Sequence, residues 1–245
     1  TDGVVFTTLS STVSANSTTF SDAGLQSSRT YLYRVRAHNS HGDSAYSNVA
    51  NASTYTVVTM ATGTGDGVGG GTGTAAPARF NNPFGIAVVT EPTGTVLYVT
   101  DAWGHTVRRV VLGADPPATV TATLLAGTPG KPGTSDGDGT SSALFYRPAG
   151  ITIASGTTTT LFVADTYNNT VRSVRTDLNG LTETTAGTPL VAGESDGIRA
   201  AALFRHPYGV ATDGTNLFVA DTENHTIRQI IIYTGTVSTL AGIAG

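Results

Sequence analysis

The sequence predicts an all-β chain: part of a sandwich at the N-terminal end, then three four-stranded sheets stacked in series. Three observations predict it. The first is a stretch written three times, LYVTDAWGHTVRRV from Leu97 to Val110, LFVADTYNNTVRSV from Leu161 to Val174 and LFVADTENHTIRQI from Leu217 to Ile230. The second is composition: 30 of the 245 residues are glycine and only 12% are charged, with Thr and Ser abundant and long helix formers scarce, as in strands joined by turns. The third is that runs such as LFVAD are apolar on both faces, which requires a sheet above and a sheet below.

The chain has a net charge of −4 and a pI near 5.6, and Lys131 is the only lysine. A nucleic-acid or anionic-membrane binder shows a basic stripe, and none is written here. With no cysteine, neither a disulfide framework nor a thiolate metal site is available. No apolar run approaches the roughly 20 residues of a membrane-crossing helix. The chain opens on Thr1 without a signal peptide, and its one methionine is Met60, so it reads as a processed form or a piece of a longer protein.

Residues 1–54 do not share the repeat. VVFTTL from Val4, STTFSDAGL from Ser17 and TYLYRVRAHNSHGDSAYSNVA from Thr30 read as short strands. Tyr31, Tyr33, Val35 and Ala37 fall on one face and Leu32, Arg34, Arg36 and His38 on the other, the period of a half-buried strand, before a turn at Asn39 and Gly42. Asp22, Gly24, Leu25, Tyr31 and the run YRVRAHNSHGDSAYSN from Tyr33 to Asn48 resemble the second half of a fibronectin type III domain. The resemblance implies that Tyr31 is the corner tyrosine, its hydroxyl bonded to backbone upstream. The opening strands and the usual core Trp are missing, and four strands cannot cover a core that belongs to seven. Residues 1–54 are therefore expected to be the C-terminal half of such a domain.

From residue 55 onward the repeat governs. TVVTMATG (Thr56–Gly63), TATLLAG (Thr121–Gly127) and TVSTLAG (Thr236–Gly242) match one another. Asp-Gly loops at Asp66, Asp136 and Asp196 lead to Phe80, Phe145 and Phe204, and then to Pro83, Pro148 and Pro207, which open PFGIAV, PAGITI and PYGVAT. The repeated Asp101, Asp165 and Asp221 stand at intervals of 64 and 56 residues, the period of stacked supersecondary units. One unit reads as four strands, GIAV, LFVAD, HTIRQI and TVSTLAG, and radial stacking of such sheets is a β-propeller. PxGIAV, LFVADT, NHTIR and TLAG in register, with Asn224-His225-Thr226 literal, resemble the NHL repeat over about residues 55–245. That resemblance implies four-stranded blades, often six to a ring. Blades are expected at about 78–127, 143–187 and 202–242, with Thr56–Gly63 a leftover fourth strand. The first unit departs, with Trp103 and Gly104 where the third has Glu223 and Asn224, and the second has Asn169 in place of histidine.

In a blade, the turn between second and third strands and the loop from fourth to first share one face. Asp101, Asp165 and Asp221, the position of His105, Asn169 and His225, and the Asp-Gly loops therefore crowd together. A catalytic or metal-binding ring is one reading. Recurrence in every unit points instead to architecture, with each Asp accepting backbone N–H groups in its own turn. His105 and His225 have metal-ligand chemistry, and amidating lyases that resemble this repeat hold zinc and calcium in the channel. One His per unit, interrupted by Asn169, fits a turn residue better. Asp136-Gly137-Asp138-Gly139 lacks the full calcium-loop frame, so no resident cofactor is expected, and loosely bound calcium at an Asp-Gly loop is compatible with that reading. Arg108, Arg172 and Arg228 are expected to pair with an acidic or carbonyl group of the adjoining blade rather than grip an anionic ligand. No Ser-His-Asp set, nucleophile elbow or phosphate loop appears. Glycosylation sequons occur at Asn16, Asn51, Asn168 and Asn224, the last two in tight turns.

The reading that follows is a non-enzymatic scaffold or binding segment of a larger secreted or cell-surface modular protein, with a protein or glycan partner. Its rival is a propeller lyase or hydrolase with a metal in the channel, for which His206 and Tyr208, beside Pro207, are the best-placed side chains. RNA binding, which some NHL propellers perform, is opposed by the acidic balance. Three blades are about half of the usual ring. The first and third are thus expected to expose apolar faces, to be covered by further blades or by copies of the chain, in an assembly or filament.

Overall fold

A strand forms only where a partner satisfies its backbone, and in the N-terminal part that partner comes from well down the chain. The computed structural model describes residues 6–7, 21–26, 29–53, 80–91, 94–112, 120–154 and 159–244, and the chain divides into two units, Thr1–Val58 and Thr59–Gly245. The expected leftover strand Thr56–Gly63, Asp66 and most of the strands expected from Val4 and Ser17 lie outside the described residues. In the first unit β1 (Thr30–Tyr33) pairs antiparallel with β4 (Ala50–Ser53), while β2 (His38–Asn39) and β3 (Gly42–Asp43) form a hairpin. The single strand expected from Tyr31 to His38 is interrupted. The hydroxyls of Ser47 and Ser44 accept the amide N–H groups of Val35 (3.1 Å) and Ala37 (2.9 Å) in place of ladder carbonyls, and Val35 is left 70% exposed. The Tyr31 hydroxyl accepts the amide N–H of Gln26 at 2.8 Å, and the Tyr33 hydroxyl donates to Asp22 at 3.1 Å.

The second unit is three antiparallel sheets, each taking its strands in chain order. Blade 1 holds β5 (Pro83–Glu91), β6 (Gly94–Asp101), β7 (Thr106–Leu112) and β8 (Val120–Gly127). Blade 2 holds β9 (Pro148–Ala154), β10 (Thr160–Asp165), β11 (Thr170–Arg175) and β12 (Leu181–Ala186). In blade 3 a two-residue strand, β13 (Gly197–Ile198), precedes β14 (Pro207–Thr212), β15 (Asn216–Asp221), β16 (Thr226–Ile231) and β17 (Thr236–Gly242), and pairs outside β17. That extra strand comes from the Asp-Gly loop and had no periodic signal of its own.

Blade 2 shows why the second strand is apolar on both sides. Leu161, Val163 and Val174 pack with Val96, Tyr98 and Val107 of blade 1. Phe162, Val171 and Ala186 pack with Leu217, Val219 and Ile230 of blade 3. Alternate residues of β10 thus enter two different cores, each worth roughly 1.5–3 kcal/mol per large side chain buried.

The joint between blades is made by backbone. The first strands β5, β9 and β14 lie side by side, and a Cβ on Gly85 would run into the carbonyl oxygen of Ala149, one on Gly150 into that of Tyr208. Glycine is required at these two positions by close approach rather than by φ. Short polar side chains complete the joint. Thr100 donates to the carbonyl of Ala149 and Thr166 to that of Pro207 at 2.8 Å. His105 Nδ1 accepts the amide N–H of Arg147 at 3.1 Å, and Asn169 Oδ1 accepts that of His206 at 2.9 Å.

Blade 3 carries the same joint residues on its far side. A Cβ on Gly209 would have only the Ala220 Cβ nearby, at 3.3 Å. Ile227 is 40% exposed where its blade 2 counterpart Val171 is 0%, and Leu240 56% where Thr185 is 8%. The apolar face expected on blade 3 is present. Blade 1 is less open than expected: Ile86 and Val88 of β5 are exposed, but Val99, Val110 and Ala122 on its sheet are buried, with Phe80, Leu97 and Leu112 against them.

Gly150→Ala should therefore cost on the order of 1–3 kcal/mol through overpacking against backbone that cannot yield. Gly209→Ala should stay within about 0.5 kcal/mol. Urea denaturation of the two variants beside the parent chain measures both, and equal losses would mean that the glycines do not serve the joint.

Candidate functional site

Blades 2 and 3 each gather their repeated polar residues into one buried clasp. In blade 2 the Asp165 carboxylate accepts the amide N–H of Tyr146 (2.8 Å), the Asn168 amide (2.7 Å) and Arg172 Nη1 (2.9 Å). Arg172 also donates to the carbonyls of Leu144 (3.0 Å) and Ser135 (2.9 Å) and to Asp136 (2.6 Å), and its guanidinium lies 5.2 Å from the Phe145 ring centre. Blade 3 repeats the set: Asp221 takes the N–H of Arg205 (2.7 Å), Asn224 (2.8 Å) and Arg228 (2.9 Å), while Arg228 reaches Leu203, Ser195 and Asp196 and covers Phe204. Asp136 and Asp196 are held in turn by Thr184 and Thr239 on the fourth strands. The ladder slips by one residue beside each arginine, at Val107/Arg108, Val171/Arg172 and Ile227/Arg228, a bulge that re-aims the side chain into the loop.

Two expectations change here. The repeated Asp residues do not close Asx turns: no side-chain cap bond forms at Asp165 or Asp221, and their backbone donors come from the loop that enters the blade. Arg172 and Arg228 pair within their own sheet and that entering loop, rather than with the strands of an adjoining blade, because the bulge points them along the sheet. The third repeated position is explained by backbone and reach together. His105, Asn169 and His225 all hold left-handed φ, 58°, 58° and 56°, which Asn and His tolerate better than most residues. His105 and Asn169 then use a side-chain acceptor to take the next blade's N–H. The His105 pKa is lowered by burial and by nearby Arg147, which keeps the ring neutral for that acceptor role.

Blade 1 departs from the pattern in one respect that matters electrostatically. Gly104 stands where Asn168 and Asn224 donate, so Asp101 keeps the N–H of Asn81 at 2.6 Å but gains no side-chain amide. Burial pushes its pKa up to about 6, against the pull of that N–H and of Arg108, whose guanidinium lies 5.3 Å from Phe80. Burial also pushes Asp165 up to about 6, against the pull of Arg172, the Tyr146 N–H and the Asn168 amide. Asn168 and Asn224 are buried with their amides engaged, so a glycan on either would break a clasp. Among the described residues no three His, Asp or Glu side chains converge as a metal site. Of the two channel candidates, His206 Nδ1 sits 2.6 Å from Glu223 and Tyr208 packs by its ring against Phe84, centroids 6.0 Å apart.

A second set of side chains, which motif reading passed over, lies on the same face. The residue before each repeated proline is Asn82, Arg147 or His206, with φ of 70°, 52° and 45°. Asparagine accepts this conformation readily; arginine does so at a cost. Arg147 lies 4.0 Å from the Trp103 ring centre and 4.6 Å from that of Tyr167. The His206 ring is 4.9 Å from Tyr167, and Tyr146 packs 5.2 Å from Tyr167 and 5.7 Å from His105. Trp103, Tyr167 and Glu223 hold one turn position in successive blades, so the face carries a row: Trp103, Arg147, Tyr167, His206, Glu223. The signal available in the sequence was variation, five unlike residues at two otherwise regular repeat positions.

No protein-family model matches the chain. NHL repeat-containing protein 2 of Homo sapiens is 41% identical over 83 residues, 34% of this chain and 11% of that protein. The chloroplastic protein SUPPRESSOR OF QUENCHING 1 of Arabidopsis thaliana is 30% identical over 106 residues, 40% of this chain and 10% of that protein. The chain spans about a tenth of the length of these curated relatives. Among solved structures, auxiliary nutrient binding proteins from Bacteroides ovatus and Bacteroides thetaiotaomicron both superimpose with a TM-score of 0.51, at 24% and 21% identity. They match over 64% and 67% of this chain and 37% and 39% of their own. A third, from Bacteroides thetaiotaomicron and provisionally named a phosphatase, gives 0.50 at 22% identity, over 69% of this chain and 36% of its own. The structural likeness speaks to fold alone, and with the local identity it supports blades of NHL type.

Removing one partner of the clasp strands the other charge away from water. Arg172→Met should lower stability by about 3–5 kcal/mol in urea denaturation, and a loss below about 1 kcal/mol would show that the clasp is not a structural tie. Asp101 yields a pH signature. Its folded pKa of about 6 exceeds the ordinary 3.8, so its contribution to stability is fully present below pH 3.8 and is lost as pH rises through 6. Asp101→Asn should flatten that part of the stability–pH curve; an unchanged slope between those limits would refute the assignment.

Proposed function

We infer that the chain is a non-enzymatic scaffold and binding segment of a larger, extracellular or cell-surface modular protein. One observation carries the reading: the repeated polar residues of blades 2 and 3 are engaged with one another. Asp165, Arg172, Asn168 and Asp136 form a network whose hydrogen bonds go to backbone and to its own members, as in a structural tie. What differs from blade to blade lies on the face, where binding groups belong. The Tyr31 bond to Gln26 supports a partial fibronectin type III module in the first unit. The named nutrient binding proteins of the same fold fit a binding role.

A further blade, from the same protein or another copy, is the partner that suits blade 3. Blade 3 holds the joint set unused among the described residues: Gly209 with only its own sheet's Ala220 against it, His225 exposed where His105 and Asn169 are buried, and the open Ile227 and Leu240. These are the positions at which blades 1 and 2 receive their neighbours.

Light scattering across a concentration series tests that partner, and the expected outcome for the 245-residue chain is association. Ile227→Lys with Leu240→Lys should disperse it without lowering the thermal midpoint, since both side chains are exposed within one chain. A parent chain that stays monomeric throughout would defeat the proposal.

A further inference from the structure

We propose that the row Trp103, Arg147, Tyr167, His206, Glu223 is a binding site for an acidic oligosaccharide, held through a uronate carboxylate on Arg147. This deepens, and rests on, the reading of the chain as a binding segment. Arg147 carries the argument. Its guanidinium lies over the rings of both Trp103 (4.0 Å) and Tyr167 (4.6 Å), and no carboxylate among the described residues pairs with it, whereas Arg36, Arg109, Arg172, Arg175 and Arg228 each have one. A guanidinium that stacks on aromatic rings still has its N–H edge to offer an anion, and a planar carboxylate matches that fork with two parallel bonds.

The neighbouring groups narrow the ligand. Trp103 is 48% exposed, offering a flat apolar face to the C–H face of a pyranose ring. One junction along, His206 and Glu223 form a 2.6 Å pair with side chains 30% and 53% exposed. A donor beside an acceptor, with the Tyr167 ring 4.9 Å from that of His206, is what vicinal sugar hydroxyls require. A peptide is held mainly by main-chain pairing or by apolar anchors in pockets, and a nucleic acid by several cations. This row has π faces, one unpaired cation and one donor–acceptor pair, strung over two blade junctions. That length suits several sugar residues rather than one.

The strain at Arg147 argues the same way. Blade 1 places Asn82 at this left-handed position, φ 70°, while blade 2 holds an arginine there at φ 52°. A fold that needed only the turn would be better served by asparagine.

Calorimetric titration of the whole chain decides the matter, using oligosaccharides of galacturonate, guluronate and glucuronate, their carboxyl-reduced counterparts, and a sulfated oligosaccharide. At least one uronate series should bind, and carboxyl reduction should weaken it about tenfold or more. Arg147→Asn, the residue blade 1 already uses, should weaken uronate binding by a similar factor while leaving the thermal midpoint equal or higher. Trp103→Ala should weaken it at unchanged midpoint. The proposal is overturned if no uronate binds, if Arg147→Asn binds as the parent does, or if the sulfated ligand is preferred. A different ligand bound equally by parent and Arg147→Asn would overturn this site and leave the binding-segment reading standing.

Discussion

A carboxylate removed from water is tolerable only when its charge and lone pairs are met, and in blades 2 and 3 that demand pulls distant pieces of chain to one point. Asp165 meets a loop amide, an asparagine from the short turn between its own strand and the next, and an arginine from that next strand. The arginine then fixes the loop by its carbonyls and by Asp136. Buried ion pairs add little net stability over apolar packing. Their value here is geometric: a Gly-rich loop with no core of its own is given a single path. Everything on that face depends on the path, including the prolines that start the first strands and the residues just ahead of them.

The clasp also accounts for what was legible in the sequence. The strands were, because period-two runs such as LFVAD between turn residues leave little choice, and so was the stacking, because both faces of those runs are apolar. The membership of the clasp was legible as repetition. Its connectivity was not, since the Asp101 donor is Asn81 and the Asp165 donor is Tyr146, partners that only a folded loop brings near. The exchange of His105 for Asn169 made sense only with the left-handed backbone and the shared N–H acceptor in view. The break in the first unit came from Ser44 and Ser47, whose hydroxyls displaced a ladder that alternation alone would extend.

The row on the face was the least legible part, for an instructive reason. Repeat analysis weights what recurs, and Trp103, Tyr167 and Glu223 do not recur. A repeated frame makes the unlike residue at a fixed position the informative one, just as a repeated residue argues for structure.

The glycine joint has a consequence of a different kind. Beside the apolar cores between the sheets, first strand meets first strand through carbonyls, amides and a missing side chain at Gly85 and Gly150, so this seam itself asks little of the sequence beyond glycine. Such a connector is generic: a duplicated unit inherits both halves of it at once, and an inserted or exchanged unit docks without new complementarity having to arise. Selection is then free to rewrite the turn residues one blade at a time, and the molecule's recognition properties become evolvable independently of its assembly.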